Sequence, residues 1–231
     1  MKKKLVVLSG AGVSAESGIQ TFRDIDGLWE GHNVNDVATY EGWVKNTPLV
    51  LDFYNQRRKQ LQEVMPNSGH EIIAELENDF EVQIITQNVD NLHEKAGNTN
   101  VLHLHGELLK VRSDTNSKVQ ILDWNTDLNL GDLDVNGVQL RPHIVWFGEQ
   151  VPALEKAVSI VSQADFLIII GTSLQVYPAA SLMNFASENI PVFYIDPNPA
   201  EVVDAPLNLK VISTIGSKGM KIVQKELMKL K

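Results

Sequence analysis

Cysteine is absent from all 231 residues of this chain. Its absence excludes disulfide bonds, thiolate ligands for a metal ion and a cysteine nucleophile, so any chemistry must rely on other side chains. Basic residues are also scarce relative to acidic ones: 20 lysines and arginines stand against 29 aspartates and glutamates, for a formal net charge of -9. A broadly basic surface that binds nucleic acid is therefore not expected.

Long hydrophobic runs are missing as well. The most apolar segment, 166–170, is far shorter than the roughly 20 residues that a membrane-spanning helix needs. The apolar run at 5–8 follows a basic start but is too short for the core of a secretion signal. We expect a cytoplasmic protein with no membrane partner.

The chain does contain a series of short apolar runs, each of which ends in polar or glycine-rich residues. Unbroken runs of this length indicate strands that are buried on both faces of a parallel sheet. The runs are 5–8, 82–85, 101–104, 144–147, 166–170 and 192–195. Segments with helical periodicity alternate with them, at 48–65, 70–76, 153–161, 179–186 and 218–230. This alternation predicts a doubly wound α/β fold of the Rossmann type, which binds ligands at the carboxyl ends of its strands.

The segment 107–141 interrupts the alternation. It is long, polar and rich in Asn, Asp and Gly, with scattered β-type residues. A structureless loop of this length is uncommon inside a compact domain, so we interpret the segment as a small β-rich insert. The apolar residues predicted to form its core are Leu108, Val111, Ile121, Leu122 and Trp124.

A glycine-rich segment, 10–18, directly follows the first apolar run. The order strand, glycine turn, helix is typical of a pyrophosphate site, because the N–H groups and the positive dipole end of the helix face the anion. In this interpretation Gly10 lets the turn close and Gly12 lets the backbone approach the ligand.

Polar residues follow two further predicted strands. Gln87, Asn88 and Asp90 come together after the run at 82–85, where they either form a site at the sheet edge or cap the next helix. His105 follows the run at 101–104 and is a candidate general base. His103 shares its strand face and is interpreted as structural. The remaining histidines have no spacing typical of metal ligands.

Taken in order, these segments resemble a sirtuin, an NAD-dependent protein-lysine deacylase. The segments that carry the resemblance are Gly10-Ala11-Gly12-Val13-Ser14, Gly18-Ile19, Thr21-Phe22-Arg23, Thr86-Gln87-Asn88-Val89-Asp90, His105-Gly106, Val145-Trp146-Phe147-Gly148-Glu149, Gly171-Thr172-Ser173 and Val176-Tyr177-Pro178. The resemblance implies a cleft that holds NAD and an acylated lysine side chain of a protein, with nicotinamide and O-acyl-ADP-ribose as products. Mono-ADP-ribosyl transfer, NAD hydrolysis and non-catalytic NAD sensing are the alternatives.

The resemblance also implies boundaries within one catalytic domain of residues 1–231. The Rossmann-type core would comprise about 1–23, 80–106 and 142–231, and a small module would comprise about 24–79 and 107–141. We expect the chain to act as a monomer.

The cofactor would contact residues at the strand ends. By resemblance these are Gly10, Ala11, Gly12, Glu16, Thr21, Phe22, Arg23, Gln87, Asn88, Asp90, Gly171, Thr172 and Ser173. His105, Asn88 and Asp90 would be catalytic: the two polar residues position the nicotinamide, and His105 takes a proton from a ribose hydroxyl. Gln87 would bind the nicotinamide ribose. Asp196 would bind another ribose hydroxyl, although an aspartate before a proline can equally begin a turn.

The substrate would lie against the segment 145–149, which we interpret as an edge strand that pairs with the peptide backbone. The implied substrate-binding residues are Tyr54, Arg57, Val145, Phe147, Gly148, Glu149 and Val176, with Val145 and Phe147 flanking the acyl-lysine tunnel.

Tyr54 and Arg57 lie three residues apart on a predicted helix, so they share a face and can hold a carboxylate together. In one sirtuin class this pair recognises succinyl- or malonyl-lysine, and the resemblance implies the same here. The alternative is a solvated helix face, since Arg58 and Lys59 are charged too. Ile25 stands where members of that class tend to carry alanine, which would narrow the tunnel.

The insert departs from the family pattern. Sirtuins commonly hold a structural zinc ion there with four cysteines, whereas 107–141 contains neither cysteine nor histidine. Carboxylates alone make a poor zinc site. We predict a module that holds no metal and folds around its apolar core.

Overall fold

The computed structural model describes residues 2–20, 28–113, 120–202 and 205–231. The strands of this described part are β1 (Lys4–Ser9), β2 (Leu28–Trp29), β3 (His32–Asn33), β4 (Glu81–Thr86), β5 (Val101–His103), β6 (Gly106–Ser113), β7 (Ile121–Asp123), β8 (Leu140–Ile144), β9 (Phe166–Ile170), β10 (Val192–Ile195) and β11 (Leu209–Ile212). Its α-helices are α1 (Val34–Val37), α2 (Tyr40–Lys45), α3 (Thr47–Glu63), α4 (Ser68–Glu75), α5 (Leu92–Lys95), α6 (Leu154–Val161) and α7 (Gly216–Leu230). None of these helices is long and apolar enough to cross a membrane.

Six strands form one sheet in the order β11-β10-β9-β1-β4-β5. All of its pairings are parallel, and β1 pairs with β4 on one side and with β9 on the other. The chain therefore winds outward from β1 in two directions, which confirms the predicted doubly wound fold. The carboxyl ends of β1, β4 and β9 meet where the strand order reverses, the usual ligand position in such sheets.

Both faces of the sheet are covered, as unbroken apolar strands require. One face packs on α4 and α7, which contribute Ile73 and Val223 to the core. The other face packs on α6 and on the segment 179–186, where the structure has a 3-10 helix, Ala179–Phe185, in place of a regular α-helix. Ile72 and Ile73 of α4 pack in the core of the large sheet, and the boundary of the small module at residue 79 stays a prediction.

A separate antiparallel sheet has the order β7-β6-β8, so the insert is β-rich as predicted. Leu108 and Val111 are buried in a core that this sheet shares with α1, α2 and α3, and Leu122 and Trp124 pack against it. The prediction for Ile121 is wrong, since its side chain is 46% exposed. β7 is an edge strand of the sheet, and alternate residues of such a strand face solvent.

The long helix α3 carries the predicted carboxylate site. It begins where the side chain of Asn46 accepts the N–H of Leu49 at 3.2 Å and a proline occupies the first turn. Its charged face is not solvated as a whole. Arg58 is 1% exposed, and its guanidinium donates to the backbone oxygen of Leu108 at 3.1 Å and to Asn55 at 2.7 Å. The alternative of a solvated helix face is therefore wrong for this part of α3.

Two further predicted elements differ from the structure. The glycine-rich segment continues into two 3-10 turns, Ala11–Val13 and Ala15–Ser17, in place of the expected α-helix. The segment 145–149 is not an edge strand, because the chain leaves the small sheet at the end of β8 and Phe147 makes an isolated bridge to Thr39. The backbone N–H of Trp146 donates to the carboxylate of Glu149, which bends the segment back on itself.

Candidate active site

A cavity of about 270 Å³ opens at the carboxyl ends of the large-sheet strands and is walled on its other side by the small module. A concave site of this size is a common binding place for small molecules. The predicted site residues that line it are Gly10, Ala11, Gly12, Tyr54, Arg57, Gln87, Asn88, Asp90, His105, Val145, Phe147, Gly148, Glu149, Gly171, Thr172, Ser173 and Val176. The structure thus brings together residues that are up to 166 positions apart in the sequence, from Gly10 to Val176.

The glycine turn after β1 packs against a second glycine loop after β9. The N–H of Gly12 donates to the carbonyl oxygen of Gly171 at 2.8 Å. A Cβ atom on Gly12 would lie 2.7 Å from the Cα of Gly171, which itself has a left-handed φ of +63°. Gly12 therefore allows the two loops to touch, and both loops line the cavity; its role in letting the backbone approach a ligand stays a prediction.

A buried polar network stands behind the cavity wall. The hydroxyl of Ser14 donates to Asp90 Oδ2 at 2.9 Å and accepts from Asn88 Nδ2 at 3.2 Å. Asp90 Oδ1 also accepts the N–H of Leu92, the first residue of α5, at 3.0 Å, whereas the N-cap position itself is Asn91, whose side chain makes no cap bond. Burial raises the pKa of Asp90, and these hydrogen bonds oppose the rise. The network holds the Asn88 amide and the Asp90 carboxyl in fixed orientations.

Gln87, which follows β4, bonds to residues that follow two other strands of the large sheet, β9 and β5. The side-chain Nε2 of Gln87 donates to the Thr172 hydroxyl at 3.2 Å, and the backbone carbonyl oxygen of Gln87 lies 3.0 Å from His105 Nδ1. A carbonyl oxygen can only accept, so Nδ1 of His105 carries a proton and Nε2 of the neutral ring is left with a lone pair.

The ring of His105 is suited to take up a proton. Burial lowers the pKa of His105, and the hydrogen bond to Gln87 opposes this only in part. The ring is therefore mainly neutral near pH 7, as a general base must be.

His103 has a different environment. Its Nδ1 lies 3.0 Å from the carbonyl oxygen of Asn88 and its Nε2 lies 2.8 Å from Glu94 Oε1, so both nitrogens act as donors. Burial on its own lowers the pKa of His103, but the bond to the Glu94 carboxylate outweighs it and the net pKa is raised. Its interpretation as a structural residue agrees with this geometry. Within the described ranges, no three or more His, Asp or Glu side chains are grouped as ligands for a metal ion.

Tyr54 and Arg57 lie on the cavity wall formed by α3. Arg57 Nη2 is 3.9 Å from Glu30 Oε2, and its guanidinium carbon is 4.5 Å from the centre of the Phe53 ring. Its Nε and Nη1 atoms are buried without a hydrogen-bond partner among the described residues. Burial lowers the pKa of Arg57, and the carboxylates of Glu30 and Asp52 oppose that change. A partly buried cation with unfilled N–H groups is suited to receive an anion.

The segment 145–149 is held in place by the carboxylate of Glu149. That carboxylate accepts from Arg112 Nη2 at 3.1 and 3.2 Å, from Arg141 Nη2 at 2.5 Å and from the backbone N–H of Trp146 at 2.8 Å. Glu149 therefore supports the cavity wall, and its predicted direct contact with substrate stays a prediction.

The backbone of the same segment joins the two parts of the molecule. The N–H of Val145 donates to the backbone carbonyl oxygen of His105 at 2.9 Å. The N–H of Phe147 donates to the backbone carbonyl oxygen of Ala38 at 3.0 Å. The half-exposed Phe147 ring stands at the rim of the cavity.

Some predicted cofactor residues lie away from the cavity. The Glu16 carboxylate accepts the N–H and the hydroxyl of Ser217 at 2.9 and 2.5 Å, at the start of α7. Asp196 is fully buried and accepts the N–H of Asn198 at 2.8 Å, which is the turn considered as its alternative. Neither belongs to the described cavity lining, so their ribose and cofactor contacts stay predictions. Thr21, Phe22, Arg23 and Ile25 lie outside the described residues.

Sequence reasoning missed three residues of the site. Ser14 lies within the glycine motif, but its hydroxyl was given no role. Trp146 lies between two residues assigned to the substrate and could have been found by asking where its indole N–H bonds. Glu30 belongs to a segment with weak periodicity, so no pattern in the sequence pointed to it.

Comparison with known proteins gives the family. Residues 10–178 match the model of the Sir2 family. The chain is 56% identical over 228 residues to an NAD-dependent protein deacylase of Helicobacter pylori, covering 99% of each chain. It is 53% identical to an NAD-dependent protein deacylase of Bacteroides thetaiotaomicron, covering 86% of this chain and 87% of the relative. A solved complex of a Sir2 homologue with NAD is 36% identical, with a TM-score of 0.86 over 99% of this chain and 91% of that one. The chain therefore belongs to the Sir2 family.

Proposed function

We propose that this chain is an NAD-dependent protein deacylase. The observation that carries the proposal is the meeting, in one cavity, of the His105 ring, the Asn88–Ser14–Asp90 network and the paired glycine loops. Relatives that are 53–56% identical over most of the chain bear the same name, which supports it.

Each part of the cavity has a task in this reaction. NAD, when bound, supplies an activated ribose carbon that takes up the acyl oxygen of the substrate as nicotinamide leaves. The loops at Gly10 and Gly171 would hold the dinucleotide, and Asn88 and Asp90 would hold its nicotinamide end. His105 Nε2 would accept a proton from a ribose hydroxyl. Tight placement of the reactants supplies the rest of the rate, so no protein nucleophile is needed.

The test is mass spectrometry of the products formed from an acylated peptide and NAD. We expect free lysine peptide, nicotinamide and O-acyl-ADP-ribose from the wild type. The His105→Ala variant should lose activity by about 10²–10⁴, the usual contribution of a general base, while NAD binding measured by calorimetry persists. His103→Gln is the matched control and should retain most activity. Free ADP-ribose with intact peptide would instead select NAD hydrolysis.

We further propose that the enzyme acts on acidic acyl groups, succinyl and malonyl, at least as well as on acetyl. The support is the guanidinium of Arg57, whose buried Nε and Nη1 atoms have no partner among the described residues, on the cavity wall that it shares with Tyr54. An acyl carboxylate would fill those N–H groups with charge-assisted hydrogen bonds.

The test compares kcat/KM for succinyl- and acetyl-lysine peptides of one sequence. A charge-assisted hydrogen bond contributes about 1.5–3 kcal/mol, so Arg57→Met should lower the succinyl value about 10- to 100-fold and the acetyl value far less. Arg57→Lys keeps the charge but not the paired N–H groups, so its kcat/KM for the succinyl peptide should lie between those of the wild type and Arg57→Met. Equal loss of both activities would assign Arg57 a structural role.

We also propose that the small module holds no zinc and that the enzyme acts as a cytoplasmic monomer. The module's core supports the first point. Leu108, Val111 and Leu140 are buried in it, and Asn55 bonds the backbone of Leu128 through both its amide nitrogen and its oxygen, at 3.0 and 2.9 Å. Packing of this kind can replace a metal ion as the centre of a small fold.

A further inference from the structure

The hydroxyl of Tyr54 has a buried neighbour to which the family resemblance assigned no role. Trp146 Nε1 donates to Tyr54 Oη at 2.9 Å. Tyr54 is 0% exposed and Trp146 is 2% exposed, so solvent does not compete for either group. The bond joins α3 to the segment 145–149 across the cavity wall.

This bond determines what the Tyr54 hydroxyl can do. A phenol oxygen that accepts an indole N–H keeps its own O–H for donation. Burial raises the pKa of Tyr54, so that proton stays on the oxygen throughout the physiological range. Within the described residues the O–H has no acceptor of its own, and Arg57 stands one helical turn along the same wall.

Trp146 is itself held firmly. The backbone N–H of Trp146 donates to the Glu149 carboxylate at 2.8 Å, and that carboxylate is paired with Arg112 and Arg141. The guanidinium of Arg141 also stacks over the Trp146 ring, 4.1 Å from its centre. A ring fixed in this way presents its N–H in one direction, which a mobile donor could not do.

We propose that Trp146 is a positioning residue for acyl-chain specificity, and that its indole N–H turns the Tyr54 hydroxyl toward the carboxylate of an acidic acyl group. The proposal rests on the acidic-acyl specificity proposed above. Arg57 supplies the charge that attracts the carboxylate, and the Trp146–Tyr54 pair supplies a neutral donor at a defined position. An acetyl group has no carboxylate and gains nothing from this donor.

A purely packing role for Trp146 gives a different expectation. Its ring fills space beside Trp43, 5.8 Å away between ring centres. If space-filling were its only contribution, loss of the N–H alone would affect both acyl groups equally.

The experiment replaces Trp146 with phenylalanine and measures kcat and KM for succinyl- and acetyl-lysine peptides of one sequence. We expect KM for the succinyl peptide to rise about five- to tenfold, with kcat changed less than twofold, so that the succinyl-to-acetyl ratio of kcat/KM falls by the same factor. Tyr54→Phe should lower the ratio similarly. The double variant should be no worse than Tyr54→Phe alone, because the two residues act through one hydroxyl.

Two controls keep the result interpretable. Trp124→Phe removes a half-buried indole N–H bond in the same module, to the backbone oxygen of Asp127, and should leave the ratio unchanged. If Trp146→Phe unfolds, incorporation of benzothienylalanine at position 146 removes the N–H donor while retaining the bicyclic shape, and the same fall in the ratio is expected.

The outcomes distinguish the positioning role of Trp146 from the acidic-acyl specificity on which it rests. If the wild type ignores succinyl peptides, or Arg57→Met lowers both activities equally, the acidic-acyl specificity is wrong and the role of Trp146 is wrong with it. If Arg57→Met loses succinyl activity selectively but neither change at Trp146 alters the ratio, the carboxylate anchor stands and the positioning role of Trp146 is overturned.

Discussion

Replacing Glu30 with glutamine should make the enzyme better at removing acidic acyl groups. Glu30 lines the cavity and places a carboxylate 3.9 Å from Arg57 Nη2, on the group proposed to receive the carboxylate of the substrate. The Glu30 carboxylate therefore repels the acyl group that Arg57 attracts. Glutamine keeps the size of the side chain and removes the charge.

The size of the effect follows from the geometry. An acyl carboxylate on the remaining Arg57 N–H groups would lie about 5 Å from that of Glu30, where like charges repel by about 3 kcal/mol at an effective dielectric constant of 20. The Glu30 side chain is 13% exposed, so solvent and salt screen only part of this repulsion. If half survives, about 1.5 kcal/mol, the succinyl-to-acetyl ratio of kcat/KM should rise about tenfold.

The assay compares this ratio for the wild type, Glu30→Gln and a matched control, Asp52→Asn. Asp52 also acts electrostatically on Arg57, but it is exposed on α3 and its carboxylate accepts from Gln56 at 2.7 Å. Asp52→Asn removes the same charge outside the cavity and should change the ratio less than twofold. An unchanged or lower ratio in Glu30→Gln would refute the reasoning, because Glu30 would then serve to hold Arg57 in place.

Three further predictions use other parts of the chain. Purified protein should contain no zinc above the background of elemental analysis, and a chelator should leave activity and melting temperature unchanged; one tightly held zinc ion would contradict the prediction drawn from the lack of cysteine and histidine in 107–141. Burial lowers the pKa of His105, so the acid limb of the kcat/KM profile should have its midpoint below about 6.5, the ordinary histidine value. Burial also lowers the pKa of His70, to about 4, and that of His93, so both are neutral in the fold. As pH falls below about 6.5 the unfolded chain takes up protons that the folded chain does not, and each histidine should lower the free energy of unfolding by up to about 1.4 kcal/mol per pH unit. Urea titrations at pH 7, 6 and 5 should show this loss, and His70→Asn should reduce the slope.

The centre of the large sheet could be predicted from the sequence because β1, β9 and β10 are buried on both faces, whereas the partly exposed edge strand β11 was not predicted. Burial on two faces demands apolar side chains at successive positions, so the runs at 5–8 and 166–170 stand out from the surrounding polar residues. Their polar ends then locate the site, since all parallel strands end at one edge. His105 and Asn88 were found by this rule.

The path of 145–149 could not be predicted in the same way. Its apolar residues suggest a strand. However, the backbone N–H of Trp146 donates to the Glu149 carboxylate, so it is not available to pair with a neighbouring strand. Of the arginines that hold Glu149 in place, Arg112 comes from β6, 37 residues away, and no local pattern reveals a contact over that separation. Ile121 failed for a related reason, because only the sheet order identifies β7 as an edge.

The proposed catalytic and specificity residues rest on different cores of the molecule. His105 is oriented by the carbonyl oxygen of Gln87, which directly follows β4 of the large sheet. Tyr54 and Trp146 belong to the core that α3 shares with the small sheet. The two parts are joined at the cavity by the bond from the N–H of Val145 to the carbonyl oxygen of His105.

This separation has a consequence for how acyl specificity can change. Substitutions at Tyr54 or Trp146 change the groups that would meet the acyl chain, and the bonds that join Ser14 to Asn88 and Asp90 involve neither of those residues. Residues more than about 7–10 Å apart with no shared partner act almost additively on free energy. A change at Glu30 or Trp146 should therefore alter the choice between succinyl and acetyl groups with little effect on NAD affinity. A change at Ser14, which holds both Asn88 and Asp90, should weaken NAD binding for every acyl group alike.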